Sequence, residues 1–231
     1  MSVAHLVASA YQPALDAPAD KRLAFLLPVL VSSLQTNIFL DESLAVVLRS
    51  LHAWKLNPET SHRYLSPDVT VPLVSILPSI ASIHPDPSTR HQTFRAVSLL
   101  LATSEPRLRF QHLAELTGQS EFPQMRVAAV GLIKEHFLYV FSVSSDRLSR
   151  KQDDPFFNPV FLRTFGPILF RPHPPDLFEE KLDLKSFQEG SEPARLSECL
   201  SLYFLLLQRD EKNLVCYNSL HARTSPHSIY I

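Results

Sequence analysis

The chain has 231 residues, 22 basic and 23 acidic side chains and a formal net charge of −1, a balance that excludes a general electrostatic pull toward nucleic acid or anionic membrane. Its two cysteines, Cys199 and Cys216, form neither a disulfide framework nor a metal-ligand pair. The start, MSVAHLVASAYQPALD, lacks the basic segment and apolar core of a signal peptide, and no run approaches the ~18 apolar residues of a membrane span. These features place the chain in the cytoplasm or nucleus, with a protein as its partner.

Four glycines stand against nineteen prolines. Glycine shapes catalytic loops, whereas proline suits helix starts and stiff connectors, so this balance favours stacked helices. In chain order, Val3 to Tyr11 is a short apolar helix closed off by Pro13 and Pro18. Asp20 then caps a helix carrying Leu23, Leu26, Leu27, Leu30 and Leu34, kinked at Pro28. Asp41 opens a clearer helix through Trp54, with Leu44, Val47, Leu48 and Leu51 inward and Arg49 outward. The two form an αα-hairpin. Asn57 to Pro67 reads as a loop. Asp68 to Ile83 is rich in β-branched residues, but Pro72 and Pro78 would each interrupt a strand ladder, so the segment is expected to be a kinked helix.

His84-Pro85-Asp86-Pro87-Ser88 is a hard turn before the helix Thr89 to Thr103, which carries Phe94, Val97, Leu100 and Leu101 on one face. Glu105 to Leu116 follows, with Pro106 in its first turn and Gly118 placed to end it in the left-handed conformation. The strongest helix is FPQMRVAAVGLIKEHFLYVF, Phe122 to Phe141. Phe122, Met125, Ala129, Leu132, Ile133, Phe137 and Val140 share one side, Pro123 lies in the first turn, and Ser120 or Glu121 stands at the cap. Ala96-Val97-Ser98-Leu99-Leu100 and Ala129-Val130-Gly131-Leu132-Ile133 repeat a pattern thirty-three residues apart, a spacing compatible with HEAT or armadillo repeats.

Residues 142–154, SVSSDRLSRKQDD, read as a polar linker between residues 1–141 and residues 155–214. Phe156 to Phe170 resumes with Phe157, Val160, Phe161, Phe165, Leu169 and Phe170 as core, punctuated by Pro159 and Pro167. Arg171 to Pro175 is extended. Ser191 caps a last helix with Leu196, Leu200, Tyr203, Phe204 and Leu207 as its buried stripe. Residues 215–231 carry no stripe and are expected to be a disordered tail. The fold class is therefore all-α, an array of stacked antiparallel helices of the HEAT or armadillo kind.

Chemistry is sparse. Gly118, Gly131, Gly166 and Gly190 are isolated, so no phosphate loop exists, and neither a metal-binding HExxH nor a G-x-S-x-G elbow occurs. His136 reads as a structural histidine on the apolar side of its helix. The acidic pairs Asp153-Asp154 and Glu179-Glu180 read as solvated loop charge, and Arg147, Arg150 and Lys151 are too few for a nucleic-acid stripe. No catalytic, cofactor-binding or metal-ligating residue is assigned. The chain is expected not to be an enzyme, the alternative being a helical enzyme or small-molecule binder with a site of scattered residues.

Three segments carry a resemblance: FPQMRVAAVGLIKEHFL at 122–138, DPFFNPVFLRTFGPILF at 154–170 and ECLSLYFLLLQRDEKN at 198–213. Together they resemble the glomulin family, which includes fungal Yap-binding proteins and the plant protein named for aberrant lateral root formation, with the likeness nearest the Yap-binding branch. The resemblance implies a HEAT-like scaffold without catalytic activity or cofactor. Its partner would be the RING subunit of a cullin-based ubiquitin ligase, as for animal glomulin, or a bZIP transcription factor in peroxide signalling. No partner-contacting residue carries across. Family members continue well beyond this length, so a carboxyl-terminally truncated member is expected. Val215-Cys216 can be encoded by GTA-TGT, a common fungal intron start, and read-through into an unspliced intron from Val215 is the matching expectation.

Overall fold

The computed structural model describes residues 18–57, 63–142, 154–172 and 183–210, together with Leu177 and Val215. Nine α-helices and one 3₁₀ turn make up the described residues, with no strand among them. They are α1 Ala19–Thr36, α2 Leu40–Leu56, α3 Pro67–Ile83, α4 Pro87–Thr103, α5 Pro106–Gly118, α6 Pro123–Ser142, the 3₁₀ turn Pro155–Phe157, α7 Val160–Leu169, α8 Leu184–Glu189 and α9 Glu192–Arg209. The all-α array read from apolar spacing is the observed architecture. The helix expected over Val3 to Tyr11, most of the 142–154 linker and all of the tail beyond Val215 lie outside the described residues.

The chain divides into two compact units, Met1–Arg109 and Phe110–Ile231. In the first, α1 packs on α2 and α3 on α4, while α1 also meets α3 and α2 meets α4. Two hairpins are thus stacked face to face, which is how a helical repeat buries the apolar stripe that one hairpin alone leaves exposed. The core is Leu23, Leu34, Leu44, Val47, Leu51, Leu73, Leu77, Val97 and Leu100, all nearly sealed from solvent. In the second unit α6 packs on α9, the 3₁₀ turn on α7, and α8 on α9. The two sequence echoes share one burial pattern: Ala96, Val97, Leu99 and Leu100 are buried in α4, as are Ala129, Val130, Leu132 and Ile133 in α6.

The unusual proline-to-glycine balance is explained at the helix ends. Proline occupies the first helical position of α3, α4, α5 and α6, where its missing N–H costs nothing. Ser66 and Asp86 cap α3 and α4, accepting hydrogen bonds from the Asp68 and Thr89 N–H groups. At the C-terminal ends, where glycine usually closes a helix, arginines from a later helix reach back to the free carbonyls. Arg90 of α4 donates to the His84 and Pro85 carbonyls at 2.7 and 3.0 Å. Arg109 of α5 donates to those of Leu101, Ala102 and Ser104 at 2.5 to 2.8 Å. A guanidinium both satisfies orphan carbonyls and opposes the negative end of the helix dipole, so no glycine with positive φ is required, and none is found among the described residues.

Several local expectations are corrected. Pro18 rather than Asp20 precedes α1, and Asp20 lies inside its first turn. Phe122 precedes α6, while the hydroxyl of Ser120, two positions earlier, accepts from the Phe122 N–H at 3.2 Å. Gly118 is not a left-handed stop. It ends α5 within the helix, and a Cβ there would lie 3.1 Å from the Ile168 side chain, so its value is close approach. The bend between α1 and α2 holds two non-glycine residues in the left-handed region, Asn37 at φ 56° and Phe39 at φ 55°. For a bulky side chain such as Phe39 this costs about 1–2 kcal/mol. The Ser33 hydroxyl, itself accepting from Ser43 at 2.8 Å, donates to the Ile38 and Phe39 carbonyls and holds that bend.

Candidate functional site

The second unit is organised on an aromatic cluster that the spacing of Phe156 to Phe165 assigned to the core. Phe156, Phe157, Phe161 and Phe165 are buried, and Phe110 meets Phe156 and Phe165 edge to face at 5.1 and 5.0 Å. Phe137 of α6 stands edge-on to Phe161 at 5.1 Å. Such geometry matches the positive edge of one ring to the negative face of another. Phe170 and Val160, expected in the same core, are instead 45 % and 41 % exposed, and Phe170 rests edge-on against Tyr203.

Two polar groupings lie within this unit. His136 is buried as its position predicted, with its ring 4.3 Å from Phe156 and its Nε2 3.5 Å from the Asp154 carboxylate. Asp154 is not solvated loop charge, since its side chain is mostly buried and its other oxygen accepts from the Phe156 N–H at 3.0 Å. The pair pins the 3₁₀ turn to α6. Asp153, Glu179, Glu180, Arg147, Arg150 and Lys151 fall outside the described residues.

The second grouping surrounds Arg195, which is 4 % exposed. Its guanidinium pairs with both Glu192 carboxylate oxygens at 2.7 and 2.6 Å and donates to the Ile168 and Arg171 carbonyls at 3.0 and 2.6 Å. This is the arginine reach-back of the first unit repeated between α9 and the end of α7. The bonds to Glu192 push the guanidinium's ionisation above its ordinary value, with burial opposing. Beside it, burial raises the Cys199 thiol to about 11, only partly offset by the arginine charge. A thiol so shifted is not a nucleophile near neutral pH.

The buried hydroxyls of Thr93, Thr103, Ser104 and Thr117 all donate to carbonyls of their own helices, which leaves them without an adjacent base to activate them. No group of three or more metal-binding side chains occurs among the described residues, and no described helix is long and apolar enough to cross a membrane.

Surfaces are more informative. On α9 the buried face is Arg195, Cys199, Leu202 and Leu206, not the expected stripe. Leu200 and Phe204 are 66 % and 60 % exposed, and Leu207 is exposed beside them. The helix carries two apolar faces, and polar links select which one turns inward: Arg195 as above, and Lys134 of α6 paired with Glu198 at 2.5 Å. Periodicity alone could not separate the two. Open grooves among the described residues include one of about 500 Å³ between α1 and α3 and one of about 480 Å³ between α5 and α7.

Residues 6–223 match the model of a protein family described as uncharacterised, YAP/Alf4/glomulin. No curated protein and no solved structure matches the chain. The family match continues past Val215 and Cys216, and Val215 is fully buried with its N–H on the Asp210 carboxylate at 2.9 Å. Both facts count against intron-encoded sequence beginning at Val215.

Proposed function

The chain belongs to the YAP/Alf4/glomulin family, and on that premise we propose that it is a non-catalytic helical scaffold or adapter that regulates a protein partner. The family match over residues 6–223 carries this reading. Two further features support it: buried hydroxyls of Thr93, Thr103, Ser104 and Thr117 committed to backbone carbonyls beside a thiol held protonated by burial, and an apolar face on α9 turned to solvent. The partner assigned is the RING subunit of a cullin ubiquitin ligase, or a bZIP transcription factor in peroxide signalling, met in the cytoplasm or nucleus. The two concavities are open grooves, whereas small-molecule sites enclose most of their ligand, so nothing specific favours the enzyme or small-molecule alternative.

The test is direct binding of the purified full chain to a cullin–RING subunit complex and to a bZIP factor by calorimetry, with a ubiquitin-discharge assay on the ligase arm. Binding to one of them, with discharge inhibited stoichiometrically in the ligase case, is expected. Binding to neither ends the partner assignment. Hydrolysis of a nucleotide or ester that disappears on one side-chain change ends the scaffold reading.

A further inference from the structure

The first helix of the array is apolar on two sides. Ala19, Leu23, Leu30 and Leu34 are its buried residues, and the helix packs on α2 and α3. At about 100° per residue, Ala24, Phe25, Pro28 and Val29 fall on the opposite side and form a second strip turned to solvent, with Phe25 70 % and Val29 68 % exposed. The strip is short. Beyond Val29 the outward residues are Ser32 and Thr36, both exposed and polar, so the apolar part ends about 15 Å from the start of α1 at a rise of ~1.5 Å per residue.

The chain supplies a matching segment just ahead of α1. Residues 1–17 lie outside the described residues. In the sequence Val3, Leu6, Val7, Ala10 and Tyr11 recur at the three-and-four spacing of one helix face, while Ser2, His5 and Ser9 fall on the other. As a helix, these nine residues from 3 to 11 would be about 13 Å long, close to the length of the exposed strip. Residues 12–18, with Pro13 and Pro18 as helix stops, form a connector that spans at most about 25 Å and has the length common between antiparallel helices. A helix this short is marginal in water by itself, so it forms only where its apolar face is covered. The family match begins at residue 6, which puts most of the segment inside the matched region.

We propose that residues 3–11 fold back as an antiparallel helix on the outward strip of α1, with Tyr11 near the start of α1 and Val3 near Val29, and so close the first end of the array. Length, pattern and tether select this occupant. The segment and the strip agree in length, and both are uncharged, with Lys21 at the rim as the nearest exposed charge on that side of α1. A seven-residue connector holds the segment at an effective concentration in the millimolar range, which a separate partner or a second copy would have to exceed. Docking buries Phe25 and Val29 and leaves Ser2, His5 and Ser9 outermost, the polar outer face that a terminal helix of a repeat array requires. This closure goes beyond the partner reading and does not depend on it.

The test uses the full chain with a nitroxide attached at Ser32→Cys, an exposed position one turn past Val29, in a Cys216→Ser background; Cys199 is buried and stays unlabelled. Valine and leucine methyl spectra are the readout. The label should broaden the Val3, Leu6 and Val7 methyls more than those of Leu15, which is nearer to it in sequence but belongs to the connector, and Phe25→Gln should abolish the broadening. Thermal unfolding gives a second measure. Phe25→Gln and Leu6→Gln should each lower the melting temperature by about 3 °C, although glutamine suits a helix at least as well as phenylalanine, and the double variant should fall by clearly less than the two shifts added. Leu56→Gln, at a position 79 % exposed at the end of α2, should stay within about 1 °C of wild type.

Methyls of Val3, Leu6 and Val7 that stay sharp, or that broaden no more than those of Leu15, would overturn the proposal. So would an F25Q chain that melts as wild type, or single shifts that simply add in the double variant. Spin-labelled chains mixed with isotope-labelled, label-free chains separate the two sources of contact: broadening that persists undiminished in the mixture would give the strip to a second copy and overturn it too. A strip that meets nothing in the chain alone but is protected from hydrogen exchange by a RING subunit or a bZIP factor would give it to the partner, keeping the scaffold reading while removing this closure.

Discussion

Replacing Arg195 by alanine tests the most connected polar residue of the second unit. The change deletes five hydrogen bonds, two to Glu192, two to the Ile168 and Arg171 carbonyls and a weak one to the Cys199 sulfur, and leaves a carboxylate only 13 % exposed without its counter-charge. Removing one partner of a buried ion pair costs about 3–5 kcal/mol. Glu192 stands at the first turn of α9, where the helix dipole and some entering water soften the loss, so about 3 kcal/mol is expected. In a chain of this size that lowers the melting temperature by roughly 6–12 °C. Urea unfolding followed by circular dichroism, with hydrogen exchange at α7 and α9 amides, reads the effect. The joint change R195M and E192L removes both charges and should cost less than R195A alone, about 1–2 kcal/mol, because only the two partly wetted carbonyls lose donors. An R195A chain within about 1 kcal/mol of wild type would refute the reasoning, as would a double variant less stable than the single one.

Leu132→Asp puts an uncompensated charge on the buried side of α6 and should destabilise by more than about 3 kcal/mol, read as loss of helical signal at lower urea; unchanged melting would place that face in solvent. Because the folded Cys199 thiol is raised from 9.0 to about 11, its contribution to stability is intact below pH 9 and falls as pH rises through 9 toward 11; Cys199→Ala should flatten that alkaline limb in a pH series of urea midpoints. Native Cys199 should also resist alkylation at pH 8 until the chain is unfolded, as followed by peptide mass spectrometry. Gly118→Ala crowds only the flexible tip of Ile168 while adding helix propensity, so it should change stability by less than about 1 kcal/mol, whereas Gly118→Val should destabilise clearly in the same urea assay.

The fold was legible because its cues are local. Pro67, Pro87, Pro106 and Pro123 mark helix starts that composition alone explains, and the three-and-four spacing of α4 and α6 names the residues that become their cores. The interior prolines Pro28, Pro72 and Pro78 do lie inside helices, as strand-breaking logic required for the last two. What stayed hidden depends on residues far apart in sequence or on backbone states that side-chain type disfavours. Nothing in Ile38-Phe39-Leu40 announces a phenylalanine in the left-handed region, since that state is set by the Ser33 hydroxyl six residues earlier. Gly118 reads as a helix stop by every local rule, and only the presence of Ile168 fifty positions later gives it another purpose.

The same division governs the candidate surfaces. On α9 the stripe Leu196, Leu200, Phe204 and Leu207 is as apolar as the buried Cys199, Leu202 and Leu206, and burying either would release similar free energy. The decision falls to polar geometry: Arg195 can satisfy the end of α7, and Glu198 can meet Lys134, only if that side faces inward. An unpaired arginine would otherwise carry its charge to solvent while the Ile168 and Arg171 carbonyls lost their donor, and polar groups left unmet in this way cost more than an exposed leucine. The outward apolar face of α9 is therefore a residue of how the second unit satisfies its helix ends. In the first unit the corresponding task falls to Arg90 and Arg109, and at the end of α1 to the Thr36 hydroxyl, which donates to the Ser32 carbonyl at 2.8 Å.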